Sequence, residues 1–254
     1  MSLDASILAQ RSKLTDALAT LAQSYWENAA VEDLVSGLTL TFDQLLSELW
    51  QQHFGHTDGC ALFAVGGYGR AELHPGSDID ILVLVEQDDT HQQAVEDFLR
   101  DVFDLNVEVG YSVRNIKTCV SECRADITVA TALFERRFLT GDRALIEPLQ
   151  KALSHRKVWP IEKFFVAKRD EQIARHRHYD NVDYNLEPNV KTSPGGLRDI
   201  HTTLWICNRQ FGTTDVAELV RLDVLTSTEA QWLIDGRRFL WWVRYGLHTL
   251  AGRK

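Results

Sequence analysis

FAVGGYGRAELHPGSDIDILVLV, residues 63–85, sets two glycines, an arginine and two alternating aspartates between runs of aliphatic residues. The runs are CALFAVG at 60–66 and IDILVLV at 79–85, each short and bounded by Gly, Pro or Ser, which is the pattern of buried strands. Alternate side chains of a strand share a face, so Asp78 and Asp80 project together while Ile79 points the other way. Gly66 and Gly67 follow the first strand directly, and their backbone N–H groups, unshielded by side chains, can approach phosphate oxygens closely. A glycine pair also makes a plain tight turn, and aspartates at a strand end are often merely solvated. The order of the elements separates these readings: strand, glycine turn, short segment, Ser77, then the paired aspartates opening a second strand.

Working outward, Ile7, Leu8, Leu14, Leu18 and Leu21 recur at helical spacing, as do Phe42, Leu45, Leu46 and Leu49, so two helices precede the sheet. Residues 90–103 return to helical spacing. LNVEVGYSV (105–113) alternates strictly, which predicts a third strand with Asn106, Glu108, Gly110 and Ser112 on its polar face. From Asn115 onward the chain reads as helices, at 126–138, 142–153, about 160–178, from near Gly196, and from Ser227 to the end. The expected fold is α/β (α+β): a small mixed β-sheet with flanking helices, followed by a helical domain. The boundaries are 1–55 for the N-terminal helices, 56–140 for the sheet domain and 141–254 for the helical domain. RYGLHTLAGRK at the C-terminus ends an apolar helical pattern with no capping sequence, as a fragment of a longer chain would.

The 254 residues are 44% hydrophobic and carry a formal charge of −9, an ordinary composition for a soluble globular protein of one or two domains. The acidic balance argues against a nucleic-acid partner, whose backbone needs cationic surface. Asp4, Arg11 and Lys13 interrupt the N-terminal apolar pattern, excluding a secretory signal, and no run is long enough to span a membrane. Cys60, Cys119, Cys123 and Cys207 lack zinc-ligand spacing and read as reduced thiols of a cytoplasmic protein.

Three carboxylates (Asp78, Asp80, Glu108) on one sheet face repel one another strongly unless cations neutralise them. Mg2+ suits them, being hard, oxygen-seeking and content with few carboxylates plus substrate phosphates. Two such ions can bridge a triphosphate and an acceptor, which makes the pattern one for phosphoryl chemistry.

The glycine pair, the DID some eleven positions later and a further strand carboxylate resemble the polymerase-beta-type nucleotidyltransferase superfamily. Within it, VGGYGRAELHPGSDIDILVL resembles the N-terminal region of the bacterial [protein-PII] uridylyltransferase/uridylyl-removing family. VEVGYSVR (107–114), DITVATALFERRFLTGD (126–142) and, above all, YNLEPNVKTSPGGLRDIHT (184–202) carry the likeness beyond the sheet. The resemblance implies that Gly66 and Gly67 hold the triphosphate, that Asp78 and Asp80 bind Mg2+, and that Glu108 is the third carboxylate. It further implies transfer of UMP from UTP to a tyrosine hydroxyl of the PII signal protein, with release of pyrophosphate. That family also has an HD domain that removes UMP. No HD dipeptide occurs in these residues, so removal is not expected of this polypeptide.

Arg70 either reaches a phosphate or pairs with Glu72, and Ser77 either binds phosphate or caps its turn. Lys191 and Arg198 flank the Pro-Gly-Gly turn, where a helix opening near Gly196 would point its N–H groups outward. There they either clamp the nucleotide or, with Asp199, serve the loop's structure. Lys168, Arg169, Arg175, His176, Arg177 and His178 read as a solvated helical face or as a positive wall. Trp232, Trp241 and Trp242 read as helix core or as the seam to a further domain. Alternatives to uridylylation are another base or acceptor, as in protein adenylylation or small-molecule transfer, and a noncatalytic module that binds nucleotide or PII.

Overall fold

The computed structural model describes residues 5–55, 58–87, 91–154, 157–180 and 189–251. The aliphatic runs of the opening stretch are neighbouring antiparallel strands, β1 (Cys60–Ala64) and β2 (Ile79–Val85), in register from Cys60↔Val85 to Ala64↔Ile81. β3 (Val109–Arg114) pairs parallel with β2, and β4 (Arg137–Gly141) pairs antiparallel with β1, giving a mixed sheet of order β3-β2-β1-β4. β1 and β2 are the central strands. Ile79, Ile81 and Val83 of β2 face one layer of core while Leu82 and Leu84 are buried on the opposite side, which is why the run needs no polar alternation after Asp80.

The first face is covered by α1 (Ala5–Trp26), α2 (Val31–Phe54) and α4 (Gln92–Asp104). Leu38, Phe42, Leu45, Leu46 and Leu49 of α2 repeat at helical spacing and meet Val95, Phe98, Leu99 and Val102 of α4 over the sheet. Trp50 anchors the layer, stacked on Phe54 at 3.8 Å between ring centroids and edge-on to Phe98 at 5.3 Å. Between the central strands runs α3 (Gly66–Gly69), a single short turn. After β3 come α5 (Ile116–Ala125) and α6 (Ile127–Phe134). Asn115 and Asp126 open these two helices by accepting the N–H groups of Thr118 (2.9 Å) and Thr128 (2.6 Å). α7 (Ile146–Ala152) ends this part of the chain.

By compactness the chain forms two units, residues 1–154 with 248–254, and residues 155–247. The second unit holds α8 (Ile161–Asp180), α9 (Leu197–Phe211), α10 (Val216–Arg221) and most of α11 (Ser227–Ala251). Leu204 and Cys207 of α9, Val216 and Leu219 of α10 and Ala230 of α11 form one of its cores.

Several expectations change. The segment 105–113 is not strand throughout: Leu105 closes α4, Asn106 turns the chain at φ 60°, and pairing starts at Val109. Because β3 is an edge strand, Tyr111 and Val113 stay exposed although they lie on the apolar side of the alternation. The helix expected over 126–138 stops at Phe134, and the following residues form β4, a short edge strand whose Arg-Phe-Leu-Thr-Gly sequence carries no alternation of its own. In α11 only Trp241 of the three tryptophans is buried, whereas Trp232 and Trp242 are exposed. The first part of the YNLEPNVKTSPGGLRDIHT match, 184–188, lies outside the described residues, as do Asp4 and the last three residues of the chain.

Candidate active site

The site is built where β1 gives way to the glycine turn. The N–H of Val65 donates to the carbonyl of Asp80 (3.0 Å), so the chain turns into α3 directly beside that aspartate. Gly66 has φ +57°, the left-handed region that suits glycine, and a Cβ there would lie 3.4 Å from Asp80 Oδ2. Across the parallel ladder the register partner of Asp80 is Gly110, where a Cβ would overlap Asp80 Oδ1 outright. The Asp80 carboxylate thus occupies a slot walled by two glycines, one oxygen toward each. Any side chain at 110 would fill the space the carboxylate uses.

Asp78 is exposed and immediately precedes β2. Glu108 is exposed and immediately precedes β3, its carbonyl accepting the N–H of Ile79 (2.9 Å). The backbone therefore brings Asp78, Asp80 and Glu108 to the same end of the β2/β3 pair. Among the described residues, no group of three His, Cys, Asp or Glu is placed to hold a metal ion by itself. The donors are nevertheless hard oxygens, and Asp80 is pre-set by its glycine slot. This set fits a divalent cation that draws its remaining ligands from phosphates and water, the habit of Mg2+ rather than of a closed structural site.

Arg70 Nε donates to Glu72 Oε2 (2.8 Å) and Nη1 to Glu135 Oε2 (2.7 Å). Burial opposes its charge, but the two carboxylates more than offset this and raise its pKa further. The pairing with Glu72, one of the two readings of Arg70, is present, and Glu135, at the end of α6, is a partner that sequence reading missed. Arg70 Nη2 points to the glycine turn, 3.6 Å from where a Cβ of Gly67 would stand. Ser77 caps its turn: its Oγ accepts the N–H of His74 (3.0 Å) while its own N–H donates to the His74 carbonyl (2.9 Å).

A second network that sequence reading missed holds the turn from behind. Tyr68, fully buried, donates its hydroxyl to Asp43 Oδ1 (2.7 Å). Arg137 grips the same carboxylate through Nη1 to Oδ2 (2.6 Å) and Nη2 to Oδ1 (3.0 Å). An aspartate between Phe42 and the Leu45–Leu46 pair, close to the apolar stripe of α2, was the available signal.

Lys191 and Arg198 belong to the second unit. The N–H groups of Leu197 and Arg198 do not point outward but donate to the carbonyls of Val190 (3.0 Å) and Lys191 (2.8 Å), so the loop itself caps α9. The Arg198 guanidinium lies over the Trp205 ring at 5.2 Å, and Lys168 over the same ring at 4.3 Å. Asp199 is the hub: it accepts from Gln172 (2.8 Å), Arg175 (2.7 Å) and the Gly195 N–H (2.8 Å), with His176 at 3.0 Å. Burial alone would raise its pKa; these donors prevail and hold it at about 2. Of the basic run on α8, Lys168, Arg175 and His176 are engaged in this way, and Arg169, Arg177 and His178 are exposed.

The nucleotidyltransferase-domain family matches residues 44–139, which contain the glycine turn and all three carboxylates, and the GlnD PII-uridylyltransferase family matches residues 163–254. Bifunctional uridylyltransferase/uridylyl-removing enzymes are close relatives. That of Stutzerimonas stutzeri is 43% identical over 251 residues (97% of this chain, 28% of its own length). That of Pseudomonas entomophila is 44% identical over 236 residues (92% and 26%), and that of Pseudomonas aeruginosa strain LESB58 is 45% identical over 226 residues (88% and 25%). The chain therefore spans about a quarter of the length of the curated relatives it matches. With a nucleotidyltransferase domain built around the Asp80 slot, the chain is similar over most of its length to the N-terminal part of bifunctional uridylyltransferase/uridylyl-removing enzymes.

Proposed function

We propose that this chain transfers UMP from UTP to a tyrosine hydroxyl of the PII protein. The observation that carries the reading is the Asp80 carboxylate wedged between Gly66 and Gly110 at the mouth of β2, beside a glycine turn. The names of the matched family and of the relatives favour uridylyl as the group and PII as the acceptor.

In this reading the N–H groups of the Gly66–Gly67 turn face the phosphates and Arg70 Nη2, held by Glu72 and Glu135, adds positive charge beside them. Asp78 and Asp80, with Glu108 beside them, would hold Mg2+, which when bound supplies neutralising charge to the triphosphate. The phenolic oxygen forms a bond to the α-phosphorus, the bridging bond to the β-phosphate breaks, pyrophosphate leaves with the electron pair, and the phenol's proton passes to solvent. The protein's share is positioning and electrostatics.

The test is incubation with Mg2+, purified PII and each of the four nucleoside triphosphates in turn, followed by intact mass and peptide mapping of PII. A UMP mass increment on a tyrosine, from UTP only, is expected. AMP transfer from ATP would reassign the base, and no transfer by a folded sample would leave a binding module in its place.

A further inference from the structure

α3 is a helix of only four residues, too short to hold itself in place, so the position of the phosphate-facing turn is set by whatever its side chains grip. Tyr68 follows the glycine pair directly, and both its ends are held. Its hydroxyl donates to Asp43 on α2, and its carbonyl accepts from Arg137 Nη2 on β4 (3.3 Å). Arg137 and Asp43 close the triangle with two parallel hydrogen bonds, and the guanidinium also lies over the Tyr68 ring at 5.4 Å. The three residues come from positions 43, 68 and 137, and Asp43 stands just before the nucleotidyltransferase match begins at 44.

We infer that Asp43, Tyr68 and Arg137 form a positioning device that fixes the Gly66–Gly67 turn against the Asp80 carboxylate, so that α2 sets how the site holds nucleotide. The inference rests on the nucleotidyl-transfer reading of that turn. The device acts behind the turn and touches no substrate. Burial, reinforced by the charge of Asp43, drives the Tyr68 phenol far above its ordinary range, so it remains a proton donor at every working pH. The Arg137 guanidinium is likewise kept charged, since its bonds to Asp43 outweigh the cost of burial.

Two variants test the inference. Tyr68→Phe removes one hydroxyl and leaves the ring's packing; Asp43→Asn removes the charge and leaves the volume. Loss of one such bond is expected to speed amide exchange at Gly69, Arg70, Ala71 and Glu72, whose N–H groups close the turn, by about tenfold. The KM for nucleotide should rise by roughly five- to tenfold while the KM for the acceptor protein stays put, because only the nucleotide side of the site is loosened. Unchanged exchange at 69–72, or nucleotide and acceptor KM moving together, would overturn the inference. A wild-type protein that transfers nothing would refute the proposed function instead, and the exchange rates alone would then decide whether the triangle holds the turn.

Discussion

Gly110→Ala is the sharpest perturbation of the account. A methyl at 110 overlaps Asp80 Oδ1 and lies 3.4 Å from its Cγ, so the carboxylate oxygen must withdraw by about 1 Å to restore ordinary contact. The moving part is the end of a side chain, and residue 110 lies on an edge strand, so the fold has room to absorb the change. Stability should shift by less than about 1 kcal/mol, in a direction set by the opposing gains in strand propensity and losses in local fit. Chemistry is less tolerant: a misplacement of about 1 Å at a reacting centre costs on the order of a hundredfold in rate. The assay is the initial rate of uridylyl transfer at several Mg2+ concentrations, alongside a thermal melt of the same sample. The expected variant melts close to wild type, turns over about a hundredfold more slowly, and needs more Mg2+ to reach its own maximum. Wild-type rate with wild-type Mg2+ dependence would mean that the position of Asp80 does not matter, and the slot would lose its functional meaning.

The same substitution at Gly69 should act on the fold instead, because a Cβ there overlaps the Glu135 carbonyl oxygen and lies 3.0 Å from that of Ala64, both backbone atoms that cannot swing aside. Gly69→Ala is expected to destabilise the first unit by about 1–3 kcal/mol in urea titration, and a wild-type midpoint would contradict the packing described. In the second unit Asp199 has a pKa lowered from 3.8 to about 2, so its contribution is complete above pH 4 and is lost as pH falls toward 2. Screened by the solvent that reaches this partly exposed carboxylate, it amounts to about 1 kcal/mol, and Asp199→Asn should remove most of this at pH 7 while flattening the acid limb of the stability profile. A variant that kept both the neutral stability and the acid limb would show that the hub carries no such coupling.

What the sequence made legible follows from how local each feature is. β1 and β2 announce themselves because both are central and buried on two faces, which demands near-continuous aliphatic runs. The nearness of the glycine turn to Asp80 follows from the antiparallel return of a chain that has only a short excursion between Gly67 and Asp78. β4 was hidden because an edge strand of five half-buried residues places few demands on its composition. Glu108 was assigned to a strand that begins one residue later, since alternation alone cannot locate the first ladder bond. The capping of α9 by the carbonyls of Val190 and Lys191 is a backbone event with no residue signature. The Asp43–Tyr68–Arg137 triangle joins residues separated by 25 and 94 positions, and no spacing rule reaches that far.

The most direct measurement of the central claim compares wild-type protein with Asp80→Asn in transfer from α-labelled UTP to PII under saturating Mg2+, at matched folded fraction. The exchange of carboxylate for amide keeps the volume of the slot between Gly66 and Gly110 and removes the charge that would hold a cation. Labelled PII is expected from the wild type and none above background from the variant, with melting curves that coincide. Equal labelling by the two proteins would contradict that claim.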